Sequence, residues 1–273
     1  MENVDKDKYL GDIISTYGSN KKNVMSRKDK SVGINKQILT TMNDWCFGPF
    51  HFKVAVIFRE SMLLSSILTN CEAWYRVKEQ EVVILERCDE NHLRMFFETP
   101  ATTPKCMLYL ESGTKPIRFL IMKRRLMFLW YMLNEDENCL INRFFRAQER
   151  NPSKHDWYQK VQEDMINLDI CLDLDQIKEA PITQFQKLID ESIEEKSFIY
   201  LMKMKNKNEK GKLAHINYEK NAMQEYLKST EVSIQMKKLI FTLRCRMLDI
   251  SSNYPNQEVR VLFVMIVRIP RNI

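Results

Sequence analysis

The chain is poor in the residues that turn a backbone. Of its 273 residues, 6 are glycine and 8 are proline. An all-β sandwich needs turn residues at roughly 8–12-residue spacing, so the scarcity argues against that class. The abundant Met, Leu, Lys and Glu favour helices instead. None of the seven cysteines (46, 71, 88, 106, 139, 171 and 245) forms a Cys-x-x-Cys pair, and their number is odd. That pattern suits a reducing compartment rather than a disulfide framework. The four histidines, at 51, 92, 155 and 215, are isolated, and none stands at ligand spacing from another His or Cys. Each is expected to be an ordinary core or surface side chain. Long apolar runs are missing too. The longest run in the most hydrophobic segment, Leu126 to Leu133, falls far short of the roughly 20 residues a membrane span needs. The start "MENVDKDKYLGDII" has no basic-then-apolar leader. A soluble, intracellular chain with no membrane partner is expected. No metalloprotease, P-loop, dinucleotide or nucleophile-elbow motif is present, so no catalytic residue, metal, cofactor or small-molecule substrate is expected.

What is present is mixed charge on an apolar background. Hydrophobic residues make up 44% and charged residues 29%, as in ordinary globular proteins, and 273 residues suffice for one large domain or two small ones. The net charge of +6 and isoelectric point near 8.8 lean towards anionic partners only through where the charges fall. One place is "LYLESGTKPIRFLIMKRRLMFLWYML", where Lys123, Arg124 and Arg125 interrupt an apolar helix-like run. Another is Arg143, Arg146 and Arg150, whose i, i+3, i+7 spacing puts all three on one helical face. Clustered guanidinium groups suit phosphate oxygens. A solvated face pairing with Glu135, Asp136 and Glu149 is the alternative. Arg244 and Arg246 lie in the last expected helix. Asp169, Asp173 and Asp175 are close enough to suggest a carboxylate metal site. Their place at an expected helix N-terminus makes capping the reading adopted.

Periodicity divides the chain coarsely. A short strand is expected in "KYLGDIISTYGSNKKNV", with no good partner before about residue 50. Helical spacing begins at Ile34 and continues through "KVAVIFRESMLLSSIL" and "EQEVVILERCDENHLRMFF" to Phe97. The Pro- and Gly-containing stretch that follows, with Pro100, Pro104, Gly113 and Pro116, reads as loop, short helix and loop, and as a domain boundary. Further helices are expected at about 117–134, 137–150, 155–168, 174–178, 183–205, 217–227 and 231–249, with a mobile basic loop at 203–212. The fold class is mainly α, with a short β-hairpin remnant at the N-terminus, a multi-helix thumb-like unit and a helical C-terminal domain.

Several blocks carry a resemblance. "KYLGDII" resembles the primer-grip end of a polymerase palm, with Tyr9, Leu10 and Gly11 as the matching residues. "RESMLLSSILTNCEAWY" resembles a thumb segment with a Ser-Ile-Leu-x-x-x-x-x-Trp pattern, here Ser66, Ile67, Leu68 and Trp74. "TPATTPKCMLYLESGTKPIRFLIMKRRLMFL", "FFRAQERNPSKHDW" and "LIFTLRCRM" resemble post-thumb segments. In that order, over residues 8 to about 254, the chain resembles the C-terminal part of a non-LTR (LINE-like) retrotransposon reverse transcriptase.

The resemblance implies four regions: 1–33 as a remnant of palm and primer grip, 34–98 as a thumb-like helical unit, 99–254 as a helical post-thumb domain, and 255–273 as a frameshifted tail. In the intact family the palm carries the paired metal-binding aspartates, and Mg²⁺ would be that enzyme's cofactor. These blocks lie before residue 8, so this chain is expected not to polymerise. What it would retain is nonspecific binding of RNA or DNA, in nucleus or cytoplasm. Lys123, Arg124, Arg125, Arg143, Arg146 and Arg150 would meet phosphates. Trp74, Tyr75 and Trp157 would either stack on bases or fill the core. The family continues into a Cys/His cluster, whereas this chain ends "LFVMIVRIPRNI". In a shifted frame the codons permit Cys at the Phe263–Val264 and Ile266–Val267 junctions and force Asp at Met265–Ile266, which gives Cys-x-x-Cys spacing; a genuine terminal strand with an aggregation-prone edge is the alternative. A helical protein-interaction module and a non-functional pseudogene product are the alternatives.

Overall fold

A computed structural model describes residues 6–9, 12–15, 20–45, 47–74, 77–151, 156–207, 213 and 216–245. Leu10, Gly11, Tyr75, His155, His215, residues 208–212 of the expected basic loop, Arg246 and the tail 255–273 lie outside the described residues, while 203–207 of that loop are helical. The protein is mainly helical. Strand β1 (Lys6–Tyr9) runs antiparallel to β2 (Asp12–Ser15), with Lys6 opposite Ser15 and Tyr9 opposite Asp12. The neighbour of β1 is thus the next stretch of chain.

Helix α1 (Lys21–Trp45) begins well before Ile34, where helical spacing was expected to start. Its first half lacks an apolar stripe because polar side chains face inward there. Asn23 and Arg27 are buried with Val24. The Arg27 guanidinium donates to the Ser66 and Ile67 carbonyls at 3.2 and 3.3 Å and lies 4.8 Å from the Trp74 ring centroid. The division expected at 33/34 therefore falls inside one helix.

The next helical segment is built in pieces: α2 (His51–Phe58), a π-helical stretch Arg59–Leu64, and α3 (Ser65–Ile67). The widened turn aims Arg59 inward. There it grips Asp89 of α4 (Glu79–Phe97) with two bonds, of 2.6 and 2.7 Å, and donates to the Lys115 carbonyl at 3.0 Å. Asp89 also accepts from the Tyr109 hydroxyl of α5 (Lys105–Ser112) at 3.1 Å. With Arg59 2% exposed and Asp89 fully buried, one polar knot ties four segments together.

Gly113 ends α5 in the left-handed region, φ 68°, where a Cβ would stand 2.0 Å from the Met223 nitrogen. That close approach lets residues 221–224 lie along α5. Met223 bridges Ser112, the Gln224 amide donates to the Glu111 carbonyl at 3.0 Å, and Asn221 donates to the Thr114 carbonyl at 2.9 Å. These contacts explain why a helix expected over 217–227 is only the single turn α11 (Glu225–Lys228). The Gln224 amide is satisfied by α5 and the Ala222 amide by the Lys220 carbonyl, not by a helical turn.

Helix α6 (Ile117–Asn134) crosses the middle of the molecule, touching α4, α10 (Ile182–Lys207), α7 (Leu140–Arg150), α8 (Trp157–Asn167) and α9 (Leu174–Glu179). In α10 the buried residues Phe185, Ile189, Ile193, Ser197 and Leu201 recur every four positions, one stripe of a 3.6-residue period. The described part of the last helix, α12 (Ile234–Arg244), stacks Phe241 on Phe97 with ring centroids 3.9 Å apart.

The expected boundary after residue 98 is not a packing boundary. One cluster joins Phe52, Leu93 and Phe97 to Met107, Leu201 and Phe241, and another joins Val24, Leu63, Trp74 and Leu85 to Ile117 and Ile121. The loop signals at Pro100, Pro104 and Pro116 mark turns within a continuous core. Among the described residues no helix is long and apolar enough to cross a membrane.

Candidate nucleic-acid interface

The three charges in the middle of α6 separate. Successive helical residues point about 100° apart, so neighbours in sequence do not share a face. Arg125 turns inward, is 2% exposed, and pairs with the equally buried Asp164 of α8. Burial pushes the Asp164 carboxyl upward while the Arg125 charge pulls it down. Lys123 pairs with Asp190 of α10 at 2.5 Å, and Arg124 donates to the Leu68 carbonyl at 2.6 Å. Arg125 thus cannot meet a phosphate: the cluster Lys123–Arg125 is divided among three partners within the chain.

Lys123 and Arg124 do line a cleft of about 700 Å³ with Arg59 and Lys115. The same cleft holds Glu60, Glu72 and Glu194, and Glu194 lies 2.8 Å from the Lys115 ammonium. Each of its cations already has a partner, Arg59 with Asp89, Lys115 with Glu194, Lys123 with Asp190 and Arg124 with the Leu68 carbonyl, which makes it a poor surface for a polyanion.

Helix α7 is the opposite case. Asn142 and Phe145, each 1% exposed, fix its inner face, and the Asn142 amide donates to the Glu135 carbonyl at 3.0 Å. With those two facing in, Arg143, Arg146 and Arg150 come together along one groove of about 540 Å³ with Glu137 and Glu149. Arg146 pairs with Glu149 at 2.8 Å and lies 5.6 Å from the Phe145 ring centroid. Arg143 and Arg150 are exposed, and among the described residues neither has an ion-pair partner. The other acids expected to neutralise this face are engaged elsewhere. Asp136 accepts from the Asn138 amide at 2.7 Å, and Glu135 bonds the Tyr131 hydroxyl, which raises the Tyr131 pKa. Arg150 also stands in the last turn of α7, where a cation suits the helix dipole.

Two apolar side chains share this outer surface. Leu140 is 80% exposed and Phe144 59%. They went unread in the sequence, although their signal was there: with Phe145 inward, Phe144 and Leu140, four residues apart, must share the opposite side.

The remaining sequence candidates are structural. Trp74 and Trp157 are 4% and 5% exposed, and the Trp157 indole donates to the Glu72 carbonyl at 2.6 Å, so neither offers a face to a base. Asp173 caps α9, its carboxylate accepting from the Gln176 amide at 2.8 Å while the Gln176 side chain accepts from the Asp173 amide at 3.0 Å. Asp169 pairs with Lys196. Arg244 bonds the fully buried Glu111 at 2.7 Å, and Tyr218 and Tyr226 donate to the same carboxylate. His92 is buried between Asn35, whose side-chain oxygen lies 2.7 Å from Nδ1, and the Ala55 carbonyl. Burial lowers its pKa to about 4. Of the primer-grip trio only the Tyr9 backbone is described, in β1. Among the described residues no group of three His, Cys, Asp or Glu side chains is placed to hold a metal.

No protein-family model, no curated protein and no solved structure matches the chain.

Proposed function

We propose that this chain is part of a non-LTR retrotransposon reverse transcriptase and that these residues hold RNA or DNA rather than polymerise it. In this reading the hairpin β1–β2 is the end of the primer grip, α1 to α4 form the thumb, and the helices from α5 onward form the post-thumb domain. The grip is sequence-independent and falls on α7. The observation that carries the reading is the pair Arg143 and Arg150, exposed on one groove with Arg146 and without carboxylate partners among the described residues. Guanidinium groups left unpaired on a surface are suited to bidentate phosphate contact.

The test is fluorescence anisotropy with a labelled oligonucleotide over a range of salt. Binding should weaken linearly on a log–log plot, with a slope of roughly −0.7 to −0.9 per phosphate contacted. Arg143→Ala with Arg150→Ala should make that slope shallower by about 1.5. Binding that is absent, or that ignores salt, would favour the rival reading of a helical interaction module, which the exposed Leu140 and Phe144 support.

A further inference from the structure

The outer surface of α7 is divided lengthwise. Wound at about 100° per residue, Arg146, Arg150 and Arg143 occupy one edge, Ala147 the middle, and Leu140 and Phe144 the other edge. A duplex keeps its bases stacked and presents phosphates and grooves to a convex helix, so a phenylalanine beside the arginines gains nothing from it. An unpaired strand differs, because each base has a free π face and the backbone can bend to put phosphate on one side and base on the other. Arg143 and Arg150 lie two turns apart, about 10 Å along the axis, which leaves room for a flexible strand between them. Buried neighbours also hold the platform still. Phe145 beneath it is 1% exposed and meets Tyr158 edge-on with centroids 5.3 Å apart. The Gln148 side chain accepts from the Tyr158 amide at 3.1 Å.

From this arrangement we infer that α7 selects single-stranded RNA or DNA over duplex, with Phe144 stacking on an unpaired base while Arg143 and Arg150 hold the flanking phosphates. The inference rests on the nucleic-acid reading above and adds the strandedness and the residue that reads it. Phe144 binds here through its ring face. Leu140, a turn earlier, shields the stacked base from water on its outer side.

The experiment titrates the full chain with one oligonucleotide as a single strand and as a blunt duplex, at fixed salt. Phe144→Ala should weaken single-strand binding about tenfold and leave duplex binding within about twofold. Phe144→Trp should restore it, and Phe144→Leu, which keeps apolar bulk without a π face, should not. The salt slope should be the same in all three, because no phosphate contact is removed. Equal loss on both ligands, or full activity of Phe144→Leu, would overturn the stacking role and leave the patch as a surface for an apolar face of another protein. Loss of single-strand binding in the Arg143→Ala, Arg150→Ala protein with no change in Phe144→Ala would also overturn it, while leaving the phosphate grip intact. If neither set of variants changes binding, both readings of α7 fail together.

Discussion

In α6 the basic cluster is consecutive, Lys123, Arg124 and Arg125; in α7 the arginines stand at positions 143, 146 and 150. On a helix the first spacing sends charges in different directions and the second gathers them. The molecule follows that geometry closely. Arg125 is drawn into the interior with Asp164, Lys123 is matched by Asp190, and Arg124 anchors the end of the α2–α3 segment through Leu68. The α7 arginines share one groove. A dense run of like charges therefore says less about a polyanion surface than a sparse run at helical period, and the denser motif here mainly holds the fold.

The largest expected effect is at Arg125. Removing one partner of a buried ion pair leaves the other charge uncompensated, at a cost of about 3–5 kcal/mol. Arg125→Ala should lower the thermal midpoint markedly or prevent folding. Arg125→Met combined with Asp164→Leu removes both charges and should recover most of the loss. A melting curve for Arg125→Ala that overlays the parent's would show that the α6 charge is not structural.

A second effect separates interior from surface by pH. His92 is fully buried beside the Arg59–Asp89 knot, with a pKa of about 4 against roughly 6.5 in an unfolded chain. Between those values the unfolded state takes up a proton and the folded state does not. Stability is therefore greatest above pH 6.5, falls as the pH drops towards 4, and is flat below, with a total loss of about 3 kcal/mol from this group. Denaturant melts at pH 7, 6 and 5 should show the decline, and His92→Gln should flatten it. Arginine keeps its charge throughout this range, so binding per folded molecule at α7 should hold steady while stability falls.

At α7 itself the order reverses. Arg143→Ala with Arg150→Ala should lower the melting midpoint by no more than about 2–4 °C, because solvent-exposed substitutions rarely exceed 0.5 kcal/mol each. Affinity for nucleic acid should fall about tenfold at low salt. A destabilised double variant with unchanged affinity would invert the roles of the two helices.

Sequence reading went furthest where one face is apolar and the caps are explicit. Helix α6 was legible to the residue from Pro116 and its apolar positions, and the Asp173 cap from its place before an apolar turn. It stopped where polar side chains do interior work. Arg27 and Asn23 made half of α1 look like loop, Arg125 reads as a phosphate-facing charge although it is buried, and nothing in the sequence singles out Arg59, Asp89 or Glu111, each nearly or wholly buried. A sequence shows that a charge is present, but its partner is often far along the chain, as with Arg125 and Asp164 or Arg244 and Glu111. The extended stretch at 221–224 was hidden for the same reason. Its bonds to the Glu111 and Thr114 carbonyls reach more than a hundred residues back.

The smallest expected effect is the most discriminating. Lys123→Ala and Arg124→Ala remove the two members of the α6 cluster that keep some exposure. Partly exposed ion pairs contribute about 0–1 kcal/mol, and the loss of Arg124's bond to a carbonyl is of similar size, so the double variant should fold and melt only slightly lower. Both are already partnered in their cleft, Lys123 by Asp190 and Arg124 by the Leu68 carbonyl. Removing two positive charges there should therefore shift affinity for single-stranded nucleic acid by less than threefold and leave the salt slope nearly unchanged. An affinity loss larger than that of Arg143→Ala with Arg150→Ala would mean that a strand displaces Asp190 from Lys123 and enters the cleft. The α6 cluster would then be the grip, and the α7 face only its outer rim.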